Sequence, residues 1–287
     1  MQVVNMDHTE RKCGCKGVRT CLLCEETADY KISALRSDQQ LEKSTSQIYS
    51  YCHHCNVAHM DEGWRSHPHS AEDGEKLDFS GILILEDFVS ELEEEQLCDV
   101  IYRTPFMKSQ SGRRKQDYGP KVNFKKQKVK TDVFTGLPDF SQFLYERMKT
   151  VPHLQDFIPV ELCNLEYVPE RGSAIDPHFD DFWLWGERLV TLNLVSDTTL
   201  CFTRDDMPDV EVRVPLLQRS LIVVFGPARA VWKHAIHRHD IKQKRIAMTF
   251  RELSDEFRGH GKLVSTGQKL IDVALTFTGT AVGSAPA

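Results

Sequence analysis

The second half of the chain consists of short strand-like segments separated by turns, and this pattern constrains the fold more than any other feature. Apolar and β-branched segments follow one another from residue 160 to residue 253, with Gly, Pro and Asp between several of them. Regularly spaced short strands are typical of a β-sandwich or a β-barrel. The predicted strands cover residues 160–167, 189–196, 199–203, 210–215, 220–225 and 245–253.

Helices and one further strand are predicted ahead of this region. Residues 81–85 are a short apolar run of the kind that forms a buried strand. Ser90, followed three residues later by Glu93, is a capping-box pattern that opens a helix through about Arg103. A shorter helix is predicted from about residue 138 to residue 149. We therefore expect an α+β protein in which a β-barrel is flanked by helices.

The composition is that of an ordinary globular protein. In 287 residues, 36 Lys and Arg stand against 42 Asp and Glu, and hydrophobic residues make up 40%. The net charge of −6 excludes a protein held everywhere on nucleic acid by charge alone. The longest apolar runs have the length of a strand, which excludes a membrane-spanning helix, and the N-terminus lacks the pattern of a secretory signal. We expect a protein of the cytoplasm and the nucleus.

Six of the nine cysteines fall in the first fifth of the chain. Because thiols stay reduced in the cytosol, clustered cysteines there indicate a metal site, and zinc takes four such ligands. Two sets of four cysteines are possible zinc ligands. One set combines a C-x-C with a C-x-x-C, and the other combines two C-x-x-C pairs. Nearby histidines are further candidate ligands. The first set is Cys13, Cys15, Cys21 and Cys24, the second is Cys21, Cys24, Cys52 and Cys55, and the histidines are His53, His54 and His59.

The N-terminal region is expected to be separate from the barrel. Residues 37–76 are polar and have no sustained period, which predicts a linker or a weakly ordered insert. The predicted organisation is a Cys-rich, zinc-binding segment over residues 1–60, a polar linker over residues 61–78 and the main domain over residues 79–280. Removal of residues 1–60 is then expected to spare the main domain.

Basic residues dominate the segment between Arg103 and Lys130, where the only acid is Asp117. Glycine and proline break any long helix there, so the pattern predicts a loop-rich flap or a hairpin. Two interpretations remain open, a solvated basic surface or a face that contacts an anionic partner. The ten cations are Arg103, Lys108, Arg113, Arg114, Lys115, Lys121, Lys125, Lys126, Lys128 and Lys130.

Within the predicted barrel, His178 and Asp180 form a His-x-Asp pair that projects from one face of an extended segment and can grip one metal ion. The pattern also occurs at His59, but only His178 follows a predicted strand and a turn. His234 is the candidate for a third ligand. Farther on, two arginines stand six residues apart on a predicted strand, so that both point the same way. They are Arg245 and Arg251.

These motifs together resemble those of the AlkB family of iron(II)- and 2-oxoglutarate-dependent dioxygenases. The family pattern is His-x-Asp, a distant His, and an R-x5-R that here ends in Thr-Phe-Arg. The resemblance extends over residues 11–276 and is most specific for the branch of the fourth vertebrate homologue. Its further motifs are C-G-C-K-G at 13–17, S-Q-S-G-R-R-K-Q-D-Y-G at 109–119, N-L-E-Y at 164–167 and W-L-W-G-E-R at 183–188.

The resemblance implies a double-stranded β-helix, or jelly-roll, and a role for each motif residue. Iron(II) would be held by His178, Asp180 and His234, and Arg245 would bind the distal carboxylate of 2-oxoglutarate through a planar fork of donors. The remaining implied contacts belong to the catalytic metal and its cosubstrate. They are Arg251 beside the metal and the proximal carboxylate, with Tyr167, Asn164 and Thr249 around the cosubstrate.

The chain departs from the family pattern in three places. The family has Asn-x-Tyr, whereas Asn164 and Tyr167 stand three apart and face opposite ways on a regular strand, so Tyr167 is the safer contact. Ala247 stands where the family often has asparagine. His237 and His239 compete with His234, which is preferred because its setting and its distance from the first arginine match the family.

The branch implies an oxidative demethylase that releases formaldehyde and acts on N-methyl-lysine of actin, with N6-methyladenine in DNA as a second substrate. The implied partners are actin or actomyosin, and DNA through the segment between Arg103 and Lys130. Two alternatives remain open. One is a non-catalytic zinc-knuckle scaffold on a dioxygenase fold, and the other is a hydroxylase of protein side chains.

Overall fold

The computed structural model describes residues 13–15, 20–25, 47–60 and 75–282. Two seven-stranded sheets face each other across a shared apolar core, and a two-stranded hairpin stands beside them. In order across the first sheet, the strands are β10 (Ile175–His178), β15 (Lys233–Ile236), β12 (Thr198–Arg204), β13 (Met207–Leu216), β1 (Gln47–Cys52), β2 (Val57–Met60) and β3 (Lys76–Leu77).

The second sheet contains most of the strands predicted from the sequence. In order, its strands are β4 (Ile82–Leu85), β14 (Leu221–Val224), β11 (Trp185–Leu194), β16 (Arg245–Leu253), β9 (Pro159–Tyr167), β6 (Arg114–Tyr118) and β5 (Met107–Lys108). The hairpin consists of β7 (Lys121–Asn123) and β8 (Lys128–Lys130). From β9 to β16 the chain passes back and forth between the two large sheets, as in a double-stranded β-helix. The predicted barrel fold is confirmed.

The longest helix forms where the capping box predicted it. The Ser90 side chain accepts a hydrogen bond from the Glu93 amide, and the Glu93 carboxylate accepts one from the Ser90 amide at 2.8 Å. No helix among the described residues is long and apolar enough to cross a membrane. The helices are α1 (Leu22–Glu25), α2 (Glu91–Arg103), α3 (Gln142–Met148), α4 (Gly226–Ala230) and α5 (Val264–Ala274).

The second sheet separates two apolar cores. On its outer face, Leu97 of α2, Met148 of α3 and Leu270 of α5 pack against the sheet in the larger core. On its inner face, side chains of both large sheets form the second core, which includes Phe202, Val212 and Ile222. The helices therefore fix the second sheet from outside and leave its inner face free to line a pocket between the sheets.

The described part of the N-terminal region is built into the barrel, in contrast to the separate segment expected from the sequence. Strand β1 pairs parallel with β13, and Tyr51 on β1 is 1% exposed within the core between the sheets. The boundary predicted over residues 61–78 therefore does not divide two independent units. The sequence did not indicate β1 and β2 because their few buried side chains lie within a polar segment. Residues 61–74 lie outside the described residues.

The basic segment is likewise split between the barrel and the hairpin. Strand β6 pairs with β9, and Arg114 makes two hydrogen bonds, of 2.6 and 2.8 Å, to the buried Glu166 carboxylate. Lys115 pairs with Asp117, and Arg113 is buried. These cations stabilise the sheet. The exposed cations of the predicted basic surface are Arg103 and Lys108 outside the hairpin and, in the hairpin, Lys121, Lys125, Lys126, Lys128 and Lys130.

Candidate active site

A cavity opens between the two sheets at the end where β10 and β15 meet the arginine-bearing strand β16. Aliphatic side chains form much of its wall, and polar side chains are concentrated at two places along it. Such an apolar cleft with a few converging polar groups is typical of a small-molecule site. The polar lining residues are Tyr167, His178, Asp180, Thr191, His234, Arg245, Thr249 and Arg251.

Three candidate metal ligands lie together at one end of the cavity. The antiparallel pairing of β10 with β15 sets His178 opposite His234, and the ring centroids are 4.3 Å apart. Asp180 follows two residues after His178, and its Oδ1 lies 3.7 Å from His178 Nε2. One ligand atom from each residue lies within 4.8 Å of the others. Two imidazoles and one carboxylate in this arrangement match the facial set that binds iron(II) and leaves open coordination positions.

The surroundings of the two imidazoles suit metal binding. His178 Nδ1–H donates to the Asp176 carbonyl oxygen at 2.8 Å, and the other ring nitrogen, Nε2, is the one that lies near Asp180. Burial is the main cause that lowers the pKa of His234 to about 3. Because metal ions bind the neutral form of histidine, both features fit a metal centre.

The carboxylate is held by arginine. Burial alone would raise the pKa of Asp180, but Arg251 and the two histidines lower it well below the usual range. Arg251 Nε donates to Asp180 Oδ2 at 2.8 Å, while its Nη1 donates to Glu161 Oε2 at 2.5 Å. Asp180 therefore stays charged, and Arg251 lies beside the candidate ligands as the sequence predicted.

Arg245 lies at the other polar region of the cavity and carries an unsatisfied donor. Its side chain is 2% exposed, its Nε donates to Asn193 Oδ1, and its guanidinium lies 4.9 Å from the Tyr167 ring centroid. Burial lowers its pKa. Among the described residues, its buried Nη1 has no hydrogen-bond partner. A buried cation with a free donor is suited to the carboxylate of a ligand that enters the cavity.

Thr249 also lies where the sequence placed it. Its hydroxyl is 3.1 Å from that of Thr191 on the neighbouring strand, and both side chains line the cavity. Ala247 lies between Arg245 and Thr249 on the same face of β16, and its small side chain leaves space in the cavity between them. The cavity is thus polar at the metal ligands and at Arg245, with small side chains between them.

The structure corrects the proposed role of Asn164. On β9 it stands opposite Met248, whose side chain belongs to the core under the helices, so it points away from the cavity. Its Nδ2 donates to Gln116 Oε1 at 2.9 Å, and Gln116 in turn donates to the Ile101 and Thr104 carbonyls. Through Gln116, Asn164 therefore connects the second sheet to α2. It faces away from Tyr167 because residues three apart on a strand point to opposite faces.

We expect Asn164→Ala to leave the KM for 2-oxoglutarate unchanged and to lower the free energy of unfolding by about 1–3 kcal/mol. The change leaves the buried Gln116 Oε1 without its hydrogen-bond donor, and an unpaired buried polar group has this cost. Denaturant titration and 2-oxoglutarate turnover measure the two quantities. A several-fold rise in KM without a loss of stability would return Asn164 to the cavity wall.

The other candidate histidines lie elsewhere. His237 Nε2 is 2.8 Å from Glu211 Oε2, which raises the pKa of His237, and neither residue lines the cavity. His239 is exposed beside Asp240. The preference for His234 over these two agrees with the geometry.

Sequence reasoning missed several residues around the site. Even spacing from Tyr167 along β9 would have found Glu161, and even spacing along β11 would have found Thr191 and Asn193. Arg229, whose Nη1 donates to the Asp180 carbonyl at 3.0 Å, had no signal in the sequence.

A second group of candidate ligands lies outside the cavity. The Sγ atoms of Cys13, Cys15, Cys21 and Cys24 are all within 4.8 Å of one another. Among the described residues, this is the cysteine set that the structure brings together, rather than the alternative with Cys52 and Cys55. Cys55 Sγ instead lies 3.7 Å from His59 Nε2, while His53 and His54 cluster with Glu86.

Comparison with known proteins identifies the family. No protein-family model matches the chain. The human protein named alpha-ketoglutarate-dependent dioxygenase alkB homolog 4 is 45% identical to it over 302 residues, covering 95% of this chain and 96% of the human protein. The chain belongs to the AlkB family. It is therefore a 2-oxoglutarate-dependent dioxygenase, and the family depends on 2-oxoglutarate and iron.

Two further relatives cover nearly as much of the chain. The mouse protein of the same name is 44% identical, covering 95% of this chain and 97% of the mouse protein. A Caenorhabditis elegans protein named DNA N6-methyl adenine demethylase is 36% identical, covering 90% of this chain and 92% of the worm protein. The solved structure of OsALKBH1 matches with a TM-score of 0.48 and 11% identity, over 60% of this chain and 97% of that one.

Proposed function

We propose that this AlkB-family dioxygenase is an oxidative demethylase in which His178, Asp180 and His234 hold iron(II). The observation that carries the proposal is that one cavity is lined both by these three ligands and by Arg245. Arg245 is buried, and its Nη1 is unsatisfied among the described residues. The metal ligands and the candidate carboxylate site are thus parts of one cavity. This arrangement fits a metal and a dicarboxylic cosubstrate bound side by side.

The protein's part in the reaction is to position its ligands and hold their charge. When held by these three residues together with 2-oxoglutarate, iron(II) would supply the dioxygen chemistry needed to hydroxylate an N-methyl group, whose N-hydroxymethyl product would decompose to formaldehyde. Arg245 binds the distal carboxylate beside Tyr167, with the threonines lining the space between. Arg251 keeps Asp180 ionised and correctly oriented.

For the substrate, we propose N-methyl-lysine of a protein, actin by resemblance, with N6-methyladenine in DNA as the second candidate. The methyl-lysine proposal rests on the resemblance of the sequence motifs, from C-G-C-K-G at 13–17 to R-x5-R at 245–251, to the branch of the fourth vertebrate homologue. The name of the worm relative supports methyladenine.

The partner surface that we propose is the lysine hairpin formed by β7 and β8. Phe124 at its tip is 45% exposed and is surrounded by the exposed lysines. An exposed ring among cations suits an anionic partner, either an acidic protein surface such as actomyosin or DNA. We also propose that the protein works in the cytoplasm and the nucleus and that the cysteine cluster holds structural zinc.

The deciding experiment is 2-oxoglutarate turnover with iron(II) against methyl-lysine peptides of actin and oligonucleotides that contain N6-methyladenine. Succinate and formaldehyde released together with one substrate class identify a demethylase and its substrate. Hydroxylated product without formaldehyde would instead support the hydroxylase of protein side chains. Absence of turnover above the uncoupled rate with both classes would reject both proposed substrates.

We expect Arg245→Lys to raise the KM for 2-oxoglutarate at least about tenfold while metal binding is retained. A point ammonium cannot reproduce the planar fork that binds a carboxylate with two hydrogen bonds. Succinate release at varied 2-oxoglutarate gives the KM, and Lys242→Arg, at an exposed site, serves as the matched control. An unchanged KM would refute the assignment of Arg245.

A further inference from the structure

The four clustered thiols lie outside the cavity, and the dioxygenase reaction does not use them. Their Sγ atoms are all within 4.8 Å of one another, and those of Cys21 and Cys24 are 3.9 Å apart. Four thiolates at about 2.3 Å around one tetrahedral ion stand about 3.8 Å from each other. An iron–sulfur cluster holds its cysteines on separate irons and spreads them farther. The spacing therefore fits a single ion.

The donor set is that of a closed structural site. Four thiolates fill a tetrahedral zinc site and leave no position for water or substrate. Backbone amides point at the sulfurs, since the Ser111 amide donates to Cys15 Sγ and the Cys21 amide donates to Cys24 Sγ, each at 3.2 Å. Such donors stabilise thiolate ligands. We call residues 13–15 and 20–25 the cysteine knuckle.

The knuckle fits tightly against the barrel loop that precedes β6. Gly112 has a φ of +70°, and a Cβ there would lie 3.2 Å from the Cys21 Cβ and 2.4 Å from the Arg171 carbonyl oxygen. A Cβ on Gly14 would lie 2.7 Å from the Ser109 carbonyl oxygen. These close approaches place the knuckle in direct contact with the loop over residues 109–113.

That loop in turn holds the segment that leads into the first iron-ligand strand. The Gly112 carbonyl accepts hydrogen bonds from Arg171 Nε at 2.7 Å and from Ser173 Oγ at 2.8 Å. The Ser111 carbonyl accepts one from the Ala174 amide at 3.0 Å. The next residue begins β10, which ends at His178. A continuous chain of contacts thus runs from the thiols to this ligand.

A second set of contacts reaches the other histidine. Glu25, in the α1 turn that carries Cys24, makes a bidentate ion pair with Arg238 at 2.7 and 2.9 Å. Arg238 lies two residues after β15, the strand that carries His234. The knuckle therefore contacts the segments that flank both histidine-bearing strands, of which β10 is an edge strand of the first sheet and β15 is its neighbour.

We propose that Cys13, Cys15, Cys21 and Cys24 bind one zinc ion, and that the zinc-bound knuckle clamps β10 and β15 so that His178 and His234 stay in register. The clamp rests on the proposed function only for the identity of the iron ligands. The cysteines are positioning residues, because they touch neither the cosubstrate nor the catalytic metal. Loss of zinc loosens the two strands and weakens metal binding in the cavity.

The first test measures the metal. Full-length protein purified under reducing conditions should contain about one zinc per chain besides any iron. Cys24→Ser should lose that zinc, since removal of one thiolate weakens a tetrahedral site, whereas Cys98→Ser on α2 should keep it. Wild-type protein without zinc, or with iron alone at the thiols, would overturn the assignment.

The second test measures the clamp without turnover. Manganese(II), which prefers nitrogen and oxygen ligands to thiolates, is titrated in the presence of 2-oxoglutarate and followed by electron paramagnetic resonance. We expect Cys24→Ser to weaken manganese binding about tenfold or more, the usual effect of losing support around metal ligands. Cys98→Ser should bind as the wild type does.

Arg238→Gln keeps the test decisive if Cys24→Ser fails to fold. This variant retains all four thiols, so it should keep its zinc, but it loses the ion pair with Glu25 and should also weaken manganese binding. Unchanged manganese affinity in Arg238→Gln would overturn the clamp. Neither the zinc content nor the manganese affinity depends on a methylated substrate. The proposed demethylation can therefore fail while the clamp is supported, and the clamp can fail while demethylation is supported.

Discussion

Replacing Asp180 with alanine is expected to reduce 2-oxoglutarate turnover at least about 100-fold while the protein keeps its fold. Losing a group that only supports a metal ligand costs 10–100-fold, and loss of a ligand itself costs at least as much. Arg251 retains Glu161 as a partner, so the change leaves no isolated buried charge. Succinate release reports turnover, and circular dichroism against temperature reports the fold.

The same result is expected for His178→Ala and His234→Ala, and His237→Ala is the matched control. His237 pairs with Glu211 away from the cavity, so its removal should leave turnover near the wild-type rate. Loss of activity in His237→Ala together with activity in His234→Ala would show that the ligand assignment is wrong. Unfolding of all three ligand variants would instead show that these side chains hold the barrel together.

The parts of the fold that the sequence predicted are those in which local pattern and tertiary environment agree. The predicted strand over residues 245–253 is β16 itself, and the prediction over residues 160–167 differs from β9 by one residue. Both strands lie in the middle of the second sheet and most of their residues are buried, so each contains enough apolar and aromatic side chains to give a strand pattern. The capping box before α2 is a local signal, which tertiary contacts do not disturb.

The strands that carry the two histidines were missed for the opposite reason. β10 reads Ile-Asp-Pro-His and β15 reads Lys-His-Ala-Ile, which are short and poor in apolar residues. Their side chains face a cavity that needs polar groups, so a functional requirement overrides the strand pattern. The candidate ligands themselves were found from the position of the His-x-Asp pair after a predicted strand and turn, and from the resemblance of the motifs to the AlkB family.

The second large effect concerns the N-terminal strands. Deletion of residues 1–60 removes β1 and β2, which leaves β13 without its parallel partner and uncovers the core between the sheets. We expect the shortened protein to lack a cooperative thermal transition, in contrast to the independent barrel that the sequence suggested. A shortened protein that melts cooperatively and turns over 2-oxoglutarate would restore the predicted boundary.

A point variant tests the same contact within the full chain. Tyr51 is 1% exposed, meets Phe79 edge to face at 5.6 Å between ring centroids, and its hydroxyl donates to Asn56 Oδ1. Tyr51→Ala is expected to lower the free energy of unfolding by about 3–5 kcal/mol, the cost of emptying a buried aromatic site. Leu92→Ala on α2, where the side chain is 62% exposed, should change it by less than about 0.5 kcal/mol. Denaturant titration of both variants separates the two cases, because an N-terminal region that merely lies on the barrel would give Tyr51→Ala the small value as well.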